Sequence, residues 1–188
     1  MKNNIYFSFL ILIFLFGCQN PGTKIYSEEF KWQVTIPENY ESIPITEKTL
    51  AKGKRMIEEA YNQKINIVAI PIFNFMKDKT TKIQAQYTEL TSTQNFLTEF
   101  NQANEILETT FKYKRPESKY RTEISTKSIS GLEFKTFEMK VYGKNNDTTT
   151  FKNFSRLFDN RKLDILVVYQ EEKNGNELIE ALEKSKFE

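Results

Sequence analysis

The stretch Phe30-Lys31-Trp32-Gln33-Val34-Thr35-Ile36-Pro37-Glu38-Asn39-Tyr40 opens the patterned part of this chain. Apolar and polar residues alternate as far as Ile36, and a period of two is typical of a β-strand with one buried face. Pro37 and the two polar residues after it favour a turn. We therefore predict that a half-buried strand begins the folded domain.

Further along the chain, helical and extended patterns follow one another. Apolar residues three or four positions apart predict three helices, at 46–62, 94–112 and 176–185. Thr46 is the expected N-cap of the first helix, and Phe187 is expected to dock after the last.

Alternating residues predict six further strands, at 64–75, 82–90, 120–129, 132–142, 148–158 and 163–169. Pro71 cannot donate to a strand ladder, so it predicts an edge or a β-bulge. The alternation changes phase near Lys135 and Thr136, which predicts a second bulge. Ile165–Val168 are apolar at four consecutive positions, which is typical of a central strand covered on both faces.

This order of elements resembles the Mog1/PsbP-like family. The opening stretch, residues 30–40, is similar to the family's first strand, which is followed by Pro, a turn and an aromatic residue. The ending Leu182-Glu183-Lys184-Ser185-Lys186-Phe187 resembles its closing helix, which is followed by Ser and an aromatic residue. The resemblance implies an α+β fold, an α/β/α sandwich with a central, mainly antiparallel sheet of about six strands, over residues 28–188.

The resemblance also implies a non-catalytic role. Members bind a nuclear GTPase, sit on photosystem II, or serve as small bacterial envelope lipoproteins and secretion chaperones. None of their functional residues matches a position in this chain, so the resemblance assigns no site.

The N-terminus, residues 1–17, has the pattern of a secretion signal. Lys2 precedes an apolar run from Ile5 to Phe16, interrupted only by Ser8. That run is shorter than the roughly 20 residues that span a bilayer, but it suits a signal peptide. The sequence Leu15-Phe16-Gly17-Cys18 resembles the bacterial lipobox. A buried N-terminal strand or a retained anchor helix is the alternative.

The lipobox resemblance implies that Cys18 becomes the lipidated first residue of the mature protein, carrying fatty-acyl chains such as palmitate. Two or three acyl chains hold a protein stably on a membrane. Residues 18–27, which include Pro21-Gly22, have little pattern and are predicted to be a lipidated tether. No acidic cluster follows Cys18, which favours the periplasmic side of the bacterial cell envelope.

Composition excludes several classes of function. With 27 Lys and Arg against 25 Asp and Glu, the chain lacks the strong positive charge of a nucleic-acid-binding protein. It contains one cysteine and no histidine, so it forms no intramolecular disulfide, no Ser-His or Cys-His pair and no His-ligated metal site. We expect no catalytic residues, no metal and no cofactor.

One segment of the sequence is a candidate contact surface. Five cations, interleaved with Tyr113 and Tyr120, fall within ten residues: Lys112, Lys114, Arg115, Lys119 and Arg121. Outside the cytoplasm such a segment suits anionic headgroups or an acidic partner. The alternative is an ordinary solvated loop between a helix and a strand.

A weaker motif occurs near the C-terminus. An oxygen-rich loop could attract Ca²⁺ through Glu171, Glu172, Asn174, Asn176 and Glu177. It lacks the spacing of a calcium loop, and Asn174-Gly175 is better explained as a turn before the last helix.

Acceptor patterns for glycosylation occur in the same part of the chain. Asn146 and Asn153 each fit the N-linked pattern, and Thr148 resembles an O-glycosylation site.

Taken together, these patterns predict a lipid-anchored periplasmic protein that is not an enzyme. Its role would be a binding or accessory domain for a protein or lipid partner at the membrane. Two alternatives remain open: an envelope hydrolase that uses carboxylates, Lys or Tyr, and a structural envelope protein without a discrete ligand.

Overall fold

A computed structural model describes residues 22–62, 64, 69–91, 95–144 and 147–188. In this part of the chain the fold is α+β, with three helices and two antiparallel sheets. The helices are α1 (Glu47–Tyr61), α2 (Phe96–Lys114) and α3 (Glu172–Glu183). The strands are β1 (Thr23–Ser27), β2 (Trp32–Ile36), β3 (Glu41–Ser42), β4 (Ile70–Asp78), β5 (Thr81–Glu89), β6 (Lys119–Ile129), β7 (Leu132–Tyr142), β8 (Thr148–Phe158), β9 (Arg161–Tyr169) and β10 (Lys186–Phe187).

The opening stretch forms β2, the middle strand of a three-stranded sheet in the order β1-β2-β10. Trp32, Val34 and Ile36 are buried, and Gln33 and Thr35 between them are exposed, so the prediction of a half-buried strand is confirmed. The last strand of the chain, β10, lies beside this early strand.

The structure corrects the predicted tether, residues 18–27. Thr23–Ser27 form β1 and pair along their whole length with β2, from Thr23 opposite Ile36 to Ser27 opposite Trp32. Even Gly22 is in contact with the domain, since a Cβ built on it would lie 2.0 Å from the carbonyl oxygen of Ile36. The cause is backbone pairing, which the sequence pattern of this segment does not reveal.

The larger sheet has seven strands in the order β3-β4-β5-β9-β8-β7-β6. The family resemblance implies about six, and the additional strand is β3, whose two residues are too few to give a sequence pattern. Strand β9 is central and covered on both faces, as predicted. Leu163, Ile165 and Val167 belong to one apolar cluster, while Leu166 and Val168 pack in the other.

Two apolar cores use the opposite faces of this sheet. The first core contains residues of the small sheet and of α3, among them Trp32, Leu178 and Leu182. The second core lies under α2 and is built around Phe100 and Phe151. Helix α1 packs against α2 and contains no buried residue. Its N-cap is Thr46, whose side chain accepts a hydrogen bond from the backbone N–H of Thr49, as predicted.

Two local predictions are wrong, and one is confirmed. Strand β7 pairs with β6 and with β8 without a register shift, so there is no bulge at Lys135-Thr136. The phase changes because Phe134 belongs to the first core and Phe137 to the second. Helix α3 begins at Glu172, so Asn174-Gly175 lie inside it and not in a turn. Pro71 does mark an irregularity, since the β4–β5 register shifts beside it.

Candidate functional site

The predicted basic segment is the connection between α2 and β6. Lys112 and Lys114 lie in the last turn of α2, and Arg115 is its C-cap residue. Lys119 is the first residue of β6, and Arg121 is the third. Cations at a helix C-terminus interact favourably with the helix dipole, so part of this segment has a structural explanation.

The five cations do not form one patch. The Nζ atom of Lys112 lies 2.5 Å from Oε1 of Glu108 on the same helix. Arg121 lies 3.8 Å from Glu123 along β6. Lys119 and Arg121 alternate with Tyr120, which packs on the core beneath α2, so these two cations face away from α2.

Tyr120 fixes the geometry of the connection. Its hydroxyl lies 3.0 Å from the carbonyl oxygen of Phe111 and 2.6 Å from that of Arg115, so it can donate to the end of α2. Burial raises the pKa of the Tyr120 phenol, which therefore keeps its proton at neutral pH. Strand β6 is in this way held at a fixed position relative to the helix.

Beside this connection, an open groove of about 460 Å³ lies between α2 and β6, and the sequence does not reveal it. Its walls are lined by Asn101, Asn104, Glu105 and Glu108 of α2 and by Thr122, Glu123, Ile124 and Phe137 of the sheet. The apolar pattern of α2 indicates which of its residues face the core. It does not indicate which residues lie beside the helix, because that depends on which strand forms the edge of the sheet.

Two side chains of the groove are unusual, one for its missing hydrogen bond and the other for its exposed apolar surface. Asn104 is only 4% exposed, and within the described part of the chain its Nδ2 has no hydrogen-bond partner. A buried donor without a partner costs free energy. Ile124 is 58% exposed although it is large and apolar. These two features make the groove a candidate binding surface.

Strand β6 is the free edge of the large sheet. Among the described residues it pairs only with β7, although it is eleven residues long. The outer edge of such a strand presents a row of unpaired N–H and C=O groups, which favours pairing with another chain. This edge and the groove define the candidate site, which we call the α2–β6 surface.

A second polar group lies in the sheet itself. Ser155 donates to Oδ1 of Asp164 at 2.5 Å, and Nζ of Lys162 lies 3.2 Å from Oδ2 of the same carboxylate. Asn153 donates to the Ser155 hydroxyl at 3.1 Å. All four residues are buried, and Ser155 is completely inaccessible. No substrate can reach this hydroxyl, so the group is a structural network.

A third group joins α3 to the rest of the domain. Lys77 donates to Oδ1 of Asn174 at 2.9 Å and lies 3.4 Å from Oε2 of Glu177, which is also 3.4 Å from the Tyr40 hydroxyl. Burial, reinforced by the charge of Glu177, raises the pKa of Tyr40. A tyrosine that retains its proton so firmly is unsuited to act as a base.

The other predicted sites are the oxygen-rich loop, the glycosylation positions and Cys18. No group of three or more metal-binding side chains occurs within the described residues, and Asn174 of the oxygen-rich loop is bonded inside α3. Asn153 is buried in the middle of β8, where it is inaccessible for glycosylation. Thr148 is partly exposed at the start of β8. Cys18 and Asn146 lie outside the described residues, so predictions about them remain untested.

No protein-family model matches the chain, and no curated protein matches it in sequence. None of the helices in the described ranges is both long and apolar enough to cross a membrane.

The fold nevertheless has relatives among solved structures. The solution structure of cyanobacterial PsbP (CyanoP) from Synechocystis sp. PCC 6803 matches with a TM-score of 0.53 at 8% identity, over 88% of this chain and 92% of that one. A crystal structure from Bacteroides thetaiotaomicron VPI-5482 matches with a TM-score of 0.52 at 9% identity, over 89% of this chain but 49% of that one. At such low identity the likeness concerns the fold alone, and the chain has a PsbP-like fold.

Proposed function

We propose that this chain is a lipid-anchored accessory protein of the bacterial envelope, facing the periplasm, which holds a protein partner close to the membrane. The observation that carries the proposal is the free edge of β6 beside a groove in which the buried Nδ2 of Asn104 has no partner among the described residues. An extended segment of a partner can add to such an edge as a further strand, with backbone hydrogen bonds giving affinity and side-chain pockets giving specificity.

The anchoring part of the proposal is supported by the sequence Leu15–Cys18 and by the early start of the domain. Gly22 is already packed against β2, and only three residues separate it from Cys18. Four peptide units reach roughly 14 Å at full extension. A protein lipidated at Cys18 would therefore hold its domain directly at the headgroups.

The non-catalytic part is supported by the chemistry of the polar groups. The chain has no histidine. Burial, reinforced by the charge of Glu172, raises the pKa of Tyr169 to about 12. Tyr40 is likewise held protonated, and Ser155 is inaccessible.

The proposal also includes the α/β/α sandwich arrangement and kinship with the wider Mog1/PsbP-like group, many of whose members are binding proteins.

One observation favours the alternative of an envelope hydrolase. Burial lowers the pKa of Lys82, which brings its amine closer to a reactive, neutral form. If the chain were such an enzyme, Lys82→Met would abolish hydrolysis of envelope esters or amides by the purified protein. An activity that is present in the wild type and lost in this variant would contradict the accessory role.

Anchoring is tested by Cys18→Ala. We expect the wild type to incorporate a labelled fatty acid and to sediment with membranes, and the variant to lose both properties. A wild type that takes up no label and an Ala variant that stays in the membrane fraction would contradict the anchor.

Partner binding is tested by placing a photo-crosslinking amino acid at Ile124, and, as a matched control, at Leu50. Both side chains are apolar and about half exposed, but Leu50 lies on α1. We expect position 124 to give one defined protein adduct in intact cells and position 50 to give none. Identical adducts from both positions, or no adduct from either, would contradict a binding role for the α2–β6 surface.

A further inference from the structure

The two faces of β6 carry different kinds of side chain. Ile124 lies directly opposite Phe137, a residue of the core beneath α2, so Tyr120, Thr122 and Ile124 share the α2 side of the strand. Arg121 and Glu123 point to the other side, where their side chains are 72% and 61% exposed. An incoming strand must therefore match an apolar pattern on one face and a charge pattern on the other.

The sequence of β6 fulfils both conditions when it is paired with itself. A second copy, antiparallel and related by a two-fold axis through Thr122, places Arg121 opposite Glu123 of the copy, and Glu123 opposite its Arg121. Directly opposed opposite charges stabilise antiparallel strands. The same register places the exposed Ile124 opposite Tyr120 of the copy, on the α2 side.

Neighbouring symmetric registers are unfavourable. Shifting the axis to Glu123 sets this carboxylate against its own copy and Lys119 against Lys127. Shifting it to Ile124 sets Arg121 against Lys127, and shifting it to Arg121 sets two guanidinium groups together. Like charges directly opposite one another destabilise a strand pair. The axis at Thr122 avoids all of these pairs.

Within a single chain the charges of Arg121 and Glu123 interact only weakly. They lie two residues apart on the same face, with Nη2 and Oε2 separated by 3.8 Å and both side chains largely in solvent. Exposed pairs of this kind contribute little to the stability of a fold. In the paired form each charge would instead face a partner across the strands.

We propose that the strand which β6 accepts is β6 of a second copy of this chain, so that two seven-stranded sheets join into one continuous antiparallel sheet. This inference rests on the proposed function, because it names the partner of the α2–β6 surface. A two-fold axis through Thr122, perpendicular to the sheet, puts both α2 helices on the same face, where each Ile124 covers the Tyr120 ring of the other copy.

Charge exchange tests the register. In Arg121→Glu the paired strands would oppose two carboxylates at each of two positions, and in Glu123→Arg two guanidinium groups. Each variant should weaken self-association of the full-length, detergent-solubilised protein by about tenfold or more. An equimolar mixture of the two variants restores opposite charges at both positions, so it should form a heterodimer about as tightly as the wild type dimerises. Native mass spectrometry distinguishes the heterodimer by mass.

The control variant is Arg55→Glu on α1, where Arg55 has the same 72% side-chain exposure and lies 3.8 Å from Glu59. We expect it to dimerise like the wild type, and circular dichroism should show that all three variants are folded. A monomeric wild type, or a mixture of Arg121→Glu and Glu123→Arg that does not associate, would overturn the inference.

The failure of this inference can be told apart from failure of the proposed function. If the wild type is monomeric and a photo-crosslinker at Ile124 still captures one defined protein of another kind, self-pairing is wrong and the binding role stands. If Ile124 yields adducts of this chain itself, with the mass of a dimer, self-pairing is supported. If it yields no adduct, both are contradicted.

Discussion

The indole of Trp32 and the ring of Phe187 are stacked, with ring centroids 5.5 Å apart and planes inclined by only 4°. These residues are also directly opposed in the pairing of β2 with β10. Phe187 further contacts the rings of Phe134 and Phe158. Phe187 therefore packs against the first core.

We expect Phe187→Ala to lower the free energy of unfolding by roughly 2 kcal/mol. This is less than the loss of about 3–5 kcal/mol for a fully buried Phe, because Phe187 is partly exposed. Urea denaturation followed by tryptophan fluorescence measures it, since Trp32 is the only tryptophan. Tyr113→Ala, at a largely exposed aromatic residue, serves as control and should change stability by less than about 0.5 kcal/mol. Equal effects of the two substitutions would contradict the packing role of Phe187.

Two helical glycines should respond in opposite directions to substitution by alanine. A Cβ on Gly175 would lie 2.6 Å from the buried ring of Tyr169, so Gly175→Ala should destabilise the fold by about 1–3 kcal/mol. A Cβ on Gly53 would meet nothing within 4 Å, so Gly53→Ala should stabilise α1 by about 0.5–1 kcal/mol. Thermal melts of both variants provide the comparison, and a shift of the same sign in both would contradict it.

Glu138 should contribute to the acid limb of the stability profile. Burial raises the pKa of its carboxyl, but the hydrogen bond and charge of Lys152, 2.9 Å away, and the charge of Lys140 outweigh this and lower it below the ordinary 4.5. A lowered pKa in the folded state means that the contribution is complete above pH 4.5 and is lost as the pH falls below that value.

Glu138→Gln should therefore cost about 1 kcal/mol at neutral pH and little at low pH. Urea midpoints measured between pH 3 and pH 7 test this. Glu59→Gln, at an exposed position on α1, should leave the whole profile unchanged. A deficit in Glu138→Gln that grows as the pH falls would contradict the assignment.

Asn104 should show a conflict between stability and binding. Replacing it with Leu, of similar size, removes a buried amide whose Nδ2 has no partner in the described part of the chain, so the free energy of unfolding should stay the same or rise by about 1 kcal/mol. If the amide serves a bound segment in the groove, the same variant should weaken the crosslinking yield at Ile124. A clear loss of stability in Asn104→Leu would show that the amide has a structural partner in the free protein.

Sequence patterns predict most elements here because their signals are local. The turn residues around β7 and β8 define both strands, and the structure has them at the predicted bounds, 132–142 and 148–158. The cap Thr46 defines the start of α1 in the same way. Such features depend on residues a few positions apart, which a single sequence displays directly.

The remaining errors concern contacts between distant residues. Asn174 in the first turn of α3 accepts a hydrogen bond from Lys77, which lies 97 positions away in sequence, while Gly175 packs on Tyr169 of the preceding strand. The α2–β6 surface is likewise hidden, since the position of Asn104 beside Ile124 follows from β6 ending the sheet. The sequence reveals the basic segment because its five cations lie within ten residues of one another. Closeness in sequence does not place their side chains on one face of the protein.

The two ends of the described chain meet on β2, with β1 on one side and β10 on the other. Because ribosomes make proteins from the N-terminus, β2 can pair with β1 early but lacks β10 until residue 187 has been added. The backbone N–H of Glu188 then donates to the carbonyl oxygen of Lys31. The small sheet thus cannot close before residue 187 has been made, and any shorter nascent form lacks the strand that completes it.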